Sequence, residues 1–248
     1  MMALTQTHLI RDTRSRFIPP GPIGAFIGLS LMGVLCVLAF ALVLPGASPV
    51  TVTTAVSFYA TSATITSWFL KRDYPNDRLG LCNVVTLARL ALVSALLVPL
   101  MAGEAPSWSF CAMAAFALSL DGIDGWAARR QGLVSEFGAR FDVEVDSLLA
   151  LVLALNAAFN AEIGAAVILL GLPRYVFALA NFALPWMRRA LPERFSRKVV
   201  CVVQLATLIA MQAPILPPLA AVVLLPLAAG ALIWSFAIDT LYLWRSRA

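Results

Sequence analysis

Long apolar stretches alternate with short polar or proline-rich segments along most of the chain, a pattern that is typical of membrane-spanning helices. We predict an all-α fold, a polytopic membrane helix bundle with eight spans. The predicted spans cover about residues 23–44, 50–70, 83–101, 107–128, 140–159, 163–186, 199–213 and 219–243. A basic tail ending in Pro19, Pro20 and Pro22 precedes the first of them.

The distribution of basic residues predicts how these spans are oriented. Lys and Arg are absent from the four loops assigned to the outer side, which are residues 45–49, 102–106, 160–162 and 214–218. Most of the 18 Lys and Arg residues lie in the tails and loops of the opposite side. By the positive-inside rule we expect both termini in the cytosol and a multi-pass protein of the inner (cytoplasmic) cell membrane.

Composition excludes several classes of protein. With 61% hydrophobic and only 12% charged residues, the chain is too apolar for a soluble domain. Its formal charge of +5 could suggest nucleic acid as a partner, but the basic residues are spread over short loops, so we expect none. The four cysteines show no paired spacing, and the one histidine, His8, lies in the polar tail. Disulfide frameworks and histidine-based catalysis are therefore not expected.

Acidic residues concentrate between Asp121 and Asp146, beside long apolar stretches where carboxylates are costly without a cation. One predicted helix places two acids and two small residues on a single face: Asp121, Asp124, Gly125 and Ala128. The next helix aligns Gly138, Asp142 and Asp146. Oxygen donors alone suit Mg²⁺, Mn²⁺ or Ca²⁺ rather than zinc. A salt-bridged polar interface is the alternative, but it does not explain the aligned small residues.

These positions form the pattern D-x2-D-G-x2-A-R-x8-G-x3-D-x3-D, which resembles the signature of the CDP-alcohol phosphotransferase (phosphatidyltransferase) family at every fixed position. Upstream, Asn83, Thr86 and Arg89 resemble the Asn-x-x-Thr-x-x-Arg start of that family's first core helix. Taken alone, a helix cap and a snorkelling arginine would look the same.

The resemblance implies a domain organisation and a set of ligands. We expect a cytosolic tail at residues 1–22, two extra transmembrane helices at 23–70, and a six-helix core at 71–248. The extra helices either pack against the core or mediate assembly. The resemblance also implies a divalent cation, Mg²⁺ or Mn²⁺, with two ions expected, no organic cofactor, and a homodimer.

The resemblance assigns roles to the signature residues. The expected metal ligands are Asp121, Asp124, Asp142 and Asp146, and Asp146 is also the expected catalytic base. The residues expected near the nucleotide are Asn83, Thr86, Arg89, Gly125, Ala128, Arg129 and Gly138.

The implied reaction transfers a substituted phosphoryl group from a CDP-alcohol to a hydroxyl and releases CMP. We expect CDP-diacylglycerol as the donor and a small polar alcohol as the acceptor. A soluble CDP-alcohol with a lipid acceptor is the alternative. Glycerol phosphate, inositol phosphate, inositol, serine, choline and another lipid all remain open as acceptors. A cation- or proton-coupled transporter is the alternative of another class, but the sequence shows no internal repeat to favour it.

Basic residues in the last third of the chain are candidate acceptor contacts. Arg174 lies inside a predicted span, where it either pairs with Asp142, Glu144 or Asp239 or binds an acceptor phosphate. Arg197 and Lys198 belong to a basic loop, either a solvated face or further substrate contacts. Asp239 is expected to be an interfacial residue rather than a catalytic one.

Overall fold

Every regular element in the described part of the chain is a helix, which confirms the all-α prediction. The structure is a computed structural model that describes residues 21–131, 133–161, 163–188, 191–192 and 194–246. Within these ranges, the side chains of residues 123–129, 131, 185, 188 and 218 are outside the description. Most of the predicted N-terminal tail, residues 1–20, is also outside it.

Ten α-helices and two short 3₁₀ segments make up the described chain. The α-helices are α1 (Pro22–Val43), α2 (Pro49–Asp73), α3 (Leu81–Ala95), α4 (Leu97–Ala102), α5 (Trp108–Gln131), α6 (Glu136–Asn160), α7 (Ile168–Gly171), α8 (Pro173–Ala183), α9 (Phe195–Ala210) and α10 (Pro218–Arg245). The 3₁₀ segments are Ala165–Val167 and Pro185–Arg188.

The helices coincide with the eight predicted spans, but fewer of them meet the length and hydropathy expected of a membrane span. Three described segments do so, Pro22–Val43, Leu81–Ala102 and Leu219–Arg245. A bent pair, Ala165–Gly171 with Pro173–Ala183, makes a fourth if it counts as one span. The total of eight spans and the cytosolic position of both termini stay predictions.

The sixth predicted span is bent in the structure. The prediction placed one span over residues 163–186, and α7 and α8 meet there at an angle of 59°. Pro173 is the first residue of α8. Because proline has no backbone N–H and its ring disfavours a preceding helical turn, the chain bends there. The bend sets the arginine that follows, Arg174, at the start of a new helix.

Helix α3 lies at the centre of the bundle. It contacts α1, α2, α5 and α6, and most of its side chains are buried. Helix α6 in turn contacts α7 and α9, and α9 contacts α10. The two N-terminal helices therefore pack against the core, and the rings of Phe26 and Phe141 meet with their centroids 6.3 Å apart.

Both ends of α6 are fixed by polar contacts. At its start, the Ser135 side chain accepts a hydrogen bond of 3.0 Å from the backbone N–H of Gly138, as in a helix N-cap. Near its other end, the Asn156 amide donates to Gln212 at 2.7 Å, and Asn160 donates to the Leu100 carbonyl at 3.2 Å. These contacts hold the helix that carries two of the signature acids.

The contact between α1 and α2 depends on a glycine. A Cβ atom at Gly33 would overlap the phenol of Tyr59, which is fully buried. Gly28, one turn and one residue earlier on α1, has open space around the same position. Gly33 therefore allows a close approach of the two helices that any larger residue would prevent.

We expect Gly33→Ala to destabilise the protein by roughly 1–3 kcal/mol, because the added methyl group must displace the Tyr59 ring. Each kcal/mol lowers Tm by about 2–4 °C for a chain of this size. Thermal unfolding in detergent measures the effect, and Gly28→Ala is the matched control. Equal unfolding temperatures for the two variants would contradict the proposed close approach.

Candidate active site

Three of the four signature acids meet at one end of the bundle. Asp121 comes from α5, and Asp142 and Asp146 come from the first turns of α6. One carboxylate oxygen of each lies within 4.8 Å of the other two. Each of the three side chains is about 30% exposed, at 30%, 31% and 27% in chain order. The cluster is therefore half-buried and accessible to a ligand.

A buried arginine holds these carboxylates together. Arg89, on α3, is fully buried, and its Nη1 donates to Asp142 at 2.5 Å and to Asp121 at 3.2 Å. Its Nη2 donates to Asp146. Its Nε donates to the Ala117 carbonyl at 3.1 Å, which orients the guanidinium plane. One cation thus links three helices, and the carboxylates offset the cost of burying it.

The donor set fits a divalent cation. Carboxylate oxygens are the ligands that Mg²⁺ and Mn²⁺ prefer. Three carboxylates exceed the single charge of Arg89, so an excess of negative charge remains for a metal ion to balance. Because the acids are partly exposed while Arg89 is buried, a metal ion and Arg89 could contact the cluster from different sides.

Two buried polar side chains lie at the start of α3, N-terminal to Arg89. Asn83 is fully buried, and both polar atoms of its side chain are without a hydrogen-bond partner among the described residues. Its Oδ1 is 3.0 Å from the point where a Cβ at Gly138 would lie. Thr86, also buried, donates to the Cys82 carbonyl at 2.9 Å. Because buried amides normally find partners, Asn83 is suited to bind a ligand that enters past Gly138.

Other signature positions are outside the description. The predicted metal ligand Asp124 and the predicted nucleotide contacts Gly125, Ala128 and Arg129 all lie on α5, where side-chain placement is not described. Their roles stay predictions. The structure places Arg89 against the carboxylates, and the prediction that it lies near the nucleotide stays a prediction.

A cavity of about 340 Å³ opens on the other side of Asp146. It lies between α6, α8, α9 and α10, and apolar side chains make up most of its wall. Its polar lining residues include Asp146, Arg174, Arg197, Gln204, Ser235 and Asp239. Asp146 is therefore shared by the carboxylate cluster and this cavity, which we call the Asp146 cavity.

The candidate acceptor residues differ in where they lie. Arg174 pairs with Glu144, one of the three partners proposed from the sequence, and it lines the Asp146 cavity. Arg197 also lines the cavity. Lys198 is exposed and lies outside the cavity lining. The structure thus brings two of the three candidates to the site.

The sequence-based reasoning named Asp239 only as an interfacial acid or a partner of Arg174, and not as a residue of the site. It was expected at the membrane interface, but it is only 5% exposed and lines the Asp146 cavity. Its carboxylate accepts hydrogen bonds from Arg194 at 2.8 Å and from Arg197 at 3.2 Å. The one available signal was an acid inside an otherwise apolar span, which is costly unless it is paired.

An apolar groove adjoins the Asp146 cavity. It has a volume of about 520 Å³, runs between α8 and α10, and shares Pro173, Phe177, Leu232 and Phe236 with the cavity. The rings of Phe177 and Phe236 lie 5.7 Å apart at this junction. Val176 and Ile233, which line the groove, are 61% and 70% exposed, so the groove opens at the outer surface of the bundle. We call it the α8–α10 groove.

Known proteins resemble this chain in the region that contains the site. The chain is 31% identical to cholinephosphotransferase 1 of Rattus norvegicus over 169 residues. The aligned region covers 64% of this chain and 39% of the relative. The mouse and human proteins of the same name are 38% and 42% identical over 91 and 90 residues, with 23% and 21% of their lengths covered. The chain thus spans less than half the length of these relatives. No solved structure matches it significantly.

A family comparison covers most of the described site. The model of the CDP-alcohol phosphatidyltransferase family matches residues 79–238, from just before α3 to the last part of α10. This range includes Arg89, the three clustered carboxylates and most of the lining of the Asp146 cavity. The chain therefore belongs to the CDP-alcohol phosphatidyltransferase family.

Proposed function

We propose that this protein transfers a substituted phosphoryl group from a CDP-alcohol to the hydroxyl of a second alcohol and releases CMP. The observation that carries the proposal is the position of Asp146. It belongs both to a carboxylate cluster that fits a divalent cation and to a cavity that could hold an acceptor. Family membership supports the reaction class.

In this proposal, the carboxylates hold Mg²⁺ or Mn²⁺. Asp121, Asp142 and Asp146 would be ligands, together with the predicted ligand Asp124. When bound, such cations neutralise the charge of a pyrophosphate and stabilise the leaving CMP. Binding of two ions remains a prediction.

The protein's own residues would orient and deprotonate the acceptor. Asp146 would accept the proton of the acceptor hydroxyl at a carboxylate oxygen, because its side chain faces the cavity where the acceptor would bind. The acceptor oxygen then bonds to the phosphorus, and the bond from phosphorus to the CMP oxygen breaks. Asn83 and Gly138 would bind the nucleotide, since a buried amide needs partners and glycine leaves space beside it.

We propose further that the acceptor is a lipid. The α8–α10 groove extends the Asp146 cavity to the outer surface of the bundle with an apolar lining. Acyl chains could lie in this groove while the hydroxyl reaches Asp146. The named relatives support a soluble CDP-alcohol as the donor, since a cholinephosphotransferase, by its name, transfers a phosphocholine group. The sequence-based prediction of CDP-diacylglycerol as donor remains a competing arrangement.

Membrane location follows from the same proposal. An integral membrane protein with its carboxylate cluster near the cytosolic surface would receive a soluble CDP-alcohol from the cytosol and the lipid from the bilayer. The basic loops predicted on that side agree with this orientation. The inner cell membrane and a homodimer are further parts of the proposal that rest on the sequence-based predictions.

We expect purified protein in detergent to form labelled lipid and CMP from CDP-choline and diacylglycerol with Mg²⁺ or Mn²⁺. EDTA should abolish both products. A parallel assay with CDP-diacylglycerol and choline, serine, inositol or glycerol tests the opposite arrangement. Asp142→Asn should reduce the rate by about 100- to 1,000-fold, since it removes a carboxylate that would hold the metal ion, and with it part of the stabilisation of the transition state.

Glu136→Gln is the matched control for that variant. Glu136 lies on the same helix, is exposed, and pairs with Arg140 one turn away. Loss of the Glu136 charge, and of this exposed ion pair, should leave the rate near that of the wild-type protein. Full activity of Asp142→Asn, or no CMP from any donor, would contradict the proposed function.

Arg89 should affect both metal binding and stability. The single nitrogen of a lysine cannot reproduce the contacts that Arg89 makes through Nη1, Nη2 and Nε, so Arg89→Lys should reduce activity by roughly 10- to 100-fold. It should also lower the unfolding temperature, and the loss should be larger in EDTA than with excess Mg²⁺, because a bound metal ion partly replaces the missing charge contacts.

Arg140→Lys is the control for Arg89→Lys, because Arg140 is exposed and pairs with Glu136, which is exposed as well. Unfolding curves recorded with EDTA and with Mg²⁺ compare the two variants. A stability loss for Arg89→Lys that is the same in both conditions would show that Arg89 does not share the carboxylates with a metal ion.

A further inference from the structure

A buried acid faces the Asp146 cavity from the wall formed by α10. The carboxylate of Asp239 receives two guanidinium groups, with Nη1 of Arg194 at 2.8 Å from its Oδ1 and Nε of Arg197 at 3.0 Å from its Oδ2. Its side chain is 7% exposed, whereas those of Arg194 and Arg197 are 21% and 33% exposed. Asp239 is thus the most deeply buried member of this group.

The arginines of the cavity are matched by acids. Arg174, on α8, pairs with Glu144, and Arg197, at the start of α9, shares Asp239 with Arg194, which lies outside the cavity lining. The carboxylate of Asp146 also lines the cavity but is already paired with Arg89. Within the described residues, each arginine that lines the cavity is therefore balanced by an acid beside it, Arg174 by Glu144 and Arg197 by Asp239.

This balance disfavours an anionic acceptor. A phosphate group could approach Arg197 only beside the carboxylate of Asp239, and it would have to displace that carboxylate or share the guanidinium with it. Asp239 is only 5% exposed, so its carboxylate would have to give up both guanidinium contacts to reach water. Repulsion between the two anions would make binding of a phosphorylated alcohol weaker than binding of the same alcohol without phosphate.

We propose that Asp239 is a specificity-determining residue that confines the Asp146 cavity to acceptors without a phosphate group. The proposal rests on the proposed function, since it concerns the acceptor of that reaction. It differs from the sequence-based expectation that Arg174 and Arg197 bind an acceptor phosphate. By occupying Arg194 and Arg197, Asp239 turns a potential anion site into one that admits an uncharged hydroxyl compound.

The test compares acceptors that differ only in a phosphate group. The pairs are 1-acylglycerol with 1-acylglycerol 3-phosphate, and glycerol with glycerol 3-phosphate, so that both lipid and soluble acceptors are covered. The donors are CDP-choline for the first pair and CDP-diacylglycerol for the second, and CMP release gives kcat/KM for each acceptor. The quantity measured is the ratio of kcat/KM for the phosphorylated acceptor to that for the neutral one.

We expect the wild-type ratio to be far below one and Asp239→Asn to raise it by roughly tenfold or more. Asparagine has nearly the same shape but leaves the guanidinium groups without a carboxylate. Adding Arg197→Gln to Asp239→Asn should reverse most of the gain, because the cation that attracts the phosphate is lost. Asp239→Ser removes the same charge with a smaller side chain. If the asparagine variant does not fold, the ratio of kcat/KM values is measured on this variant instead.

The outcomes separate this inference from the proposed function. A wild-type protein that uses phosphorylated and neutral acceptors equally well would overturn the role of Asp239 and leave the transferase intact. So would an unchanged ratio in folded Asp239→Asn or Asp239→Ser. No CMP release by the wild-type protein with any acceptor would overturn the proposed function, and this inference with it.

Discussion

One buried guanidinium holds the carboxylate cluster of this protein together. Arg89 is fully buried in α3 and contacts carboxylates from α5 and α6. A buried arginine without partners would be strongly unfavourable, and three clustered carboxylates without a cation would repel each other. The guanidinium therefore stabilises the carboxylate cluster, and the carboxylates stabilise the buried guanidinium. The same contact fixes the relative positions of the three helices that carry the signature residues.

The site has two sides because Asp146 lies at the boundary between them. On one side are the carboxylate cluster, Asn83 and Gly138, a set suited to a metal ion and a nucleotide. On the other side is the Asp146 cavity, which continues into the apolar α8–α10 groove. A transferase needs such an arrangement, since a donor and an acceptor must approach the same atom from different directions.

Local patterns in the sequence were enough to predict the helices and the acid cluster. Helical spacing aligned Asp142 with Asp146, and the family signature linked them to Asp121 across a short loop. Contacts between distant segments were harder to predict. The pairing of Arg194 and Arg197 with Asp239 joins the start of α9 to the end of α10, and neither spacing nor charge pattern specifies it. The bend at Pro173 was also hard to predict, because a proline is common at the first position of a helix and does not by itself give the angle to the preceding helix.

The position of a bound metal ion tests the central claim most directly. Crystals of the protein grown with Mn²⁺ and a CDP-alcohol would give the ion's position from anomalous scattering. The account predicts a manganese peak within coordinating distance of Asp121, Asp142 and Asp146, on the side of the carboxylates away from Arg89, and in contact with the nucleotide's phosphates. A manganese ion bound elsewhere, with these three carboxylates contacting only Arg89, would contradict it.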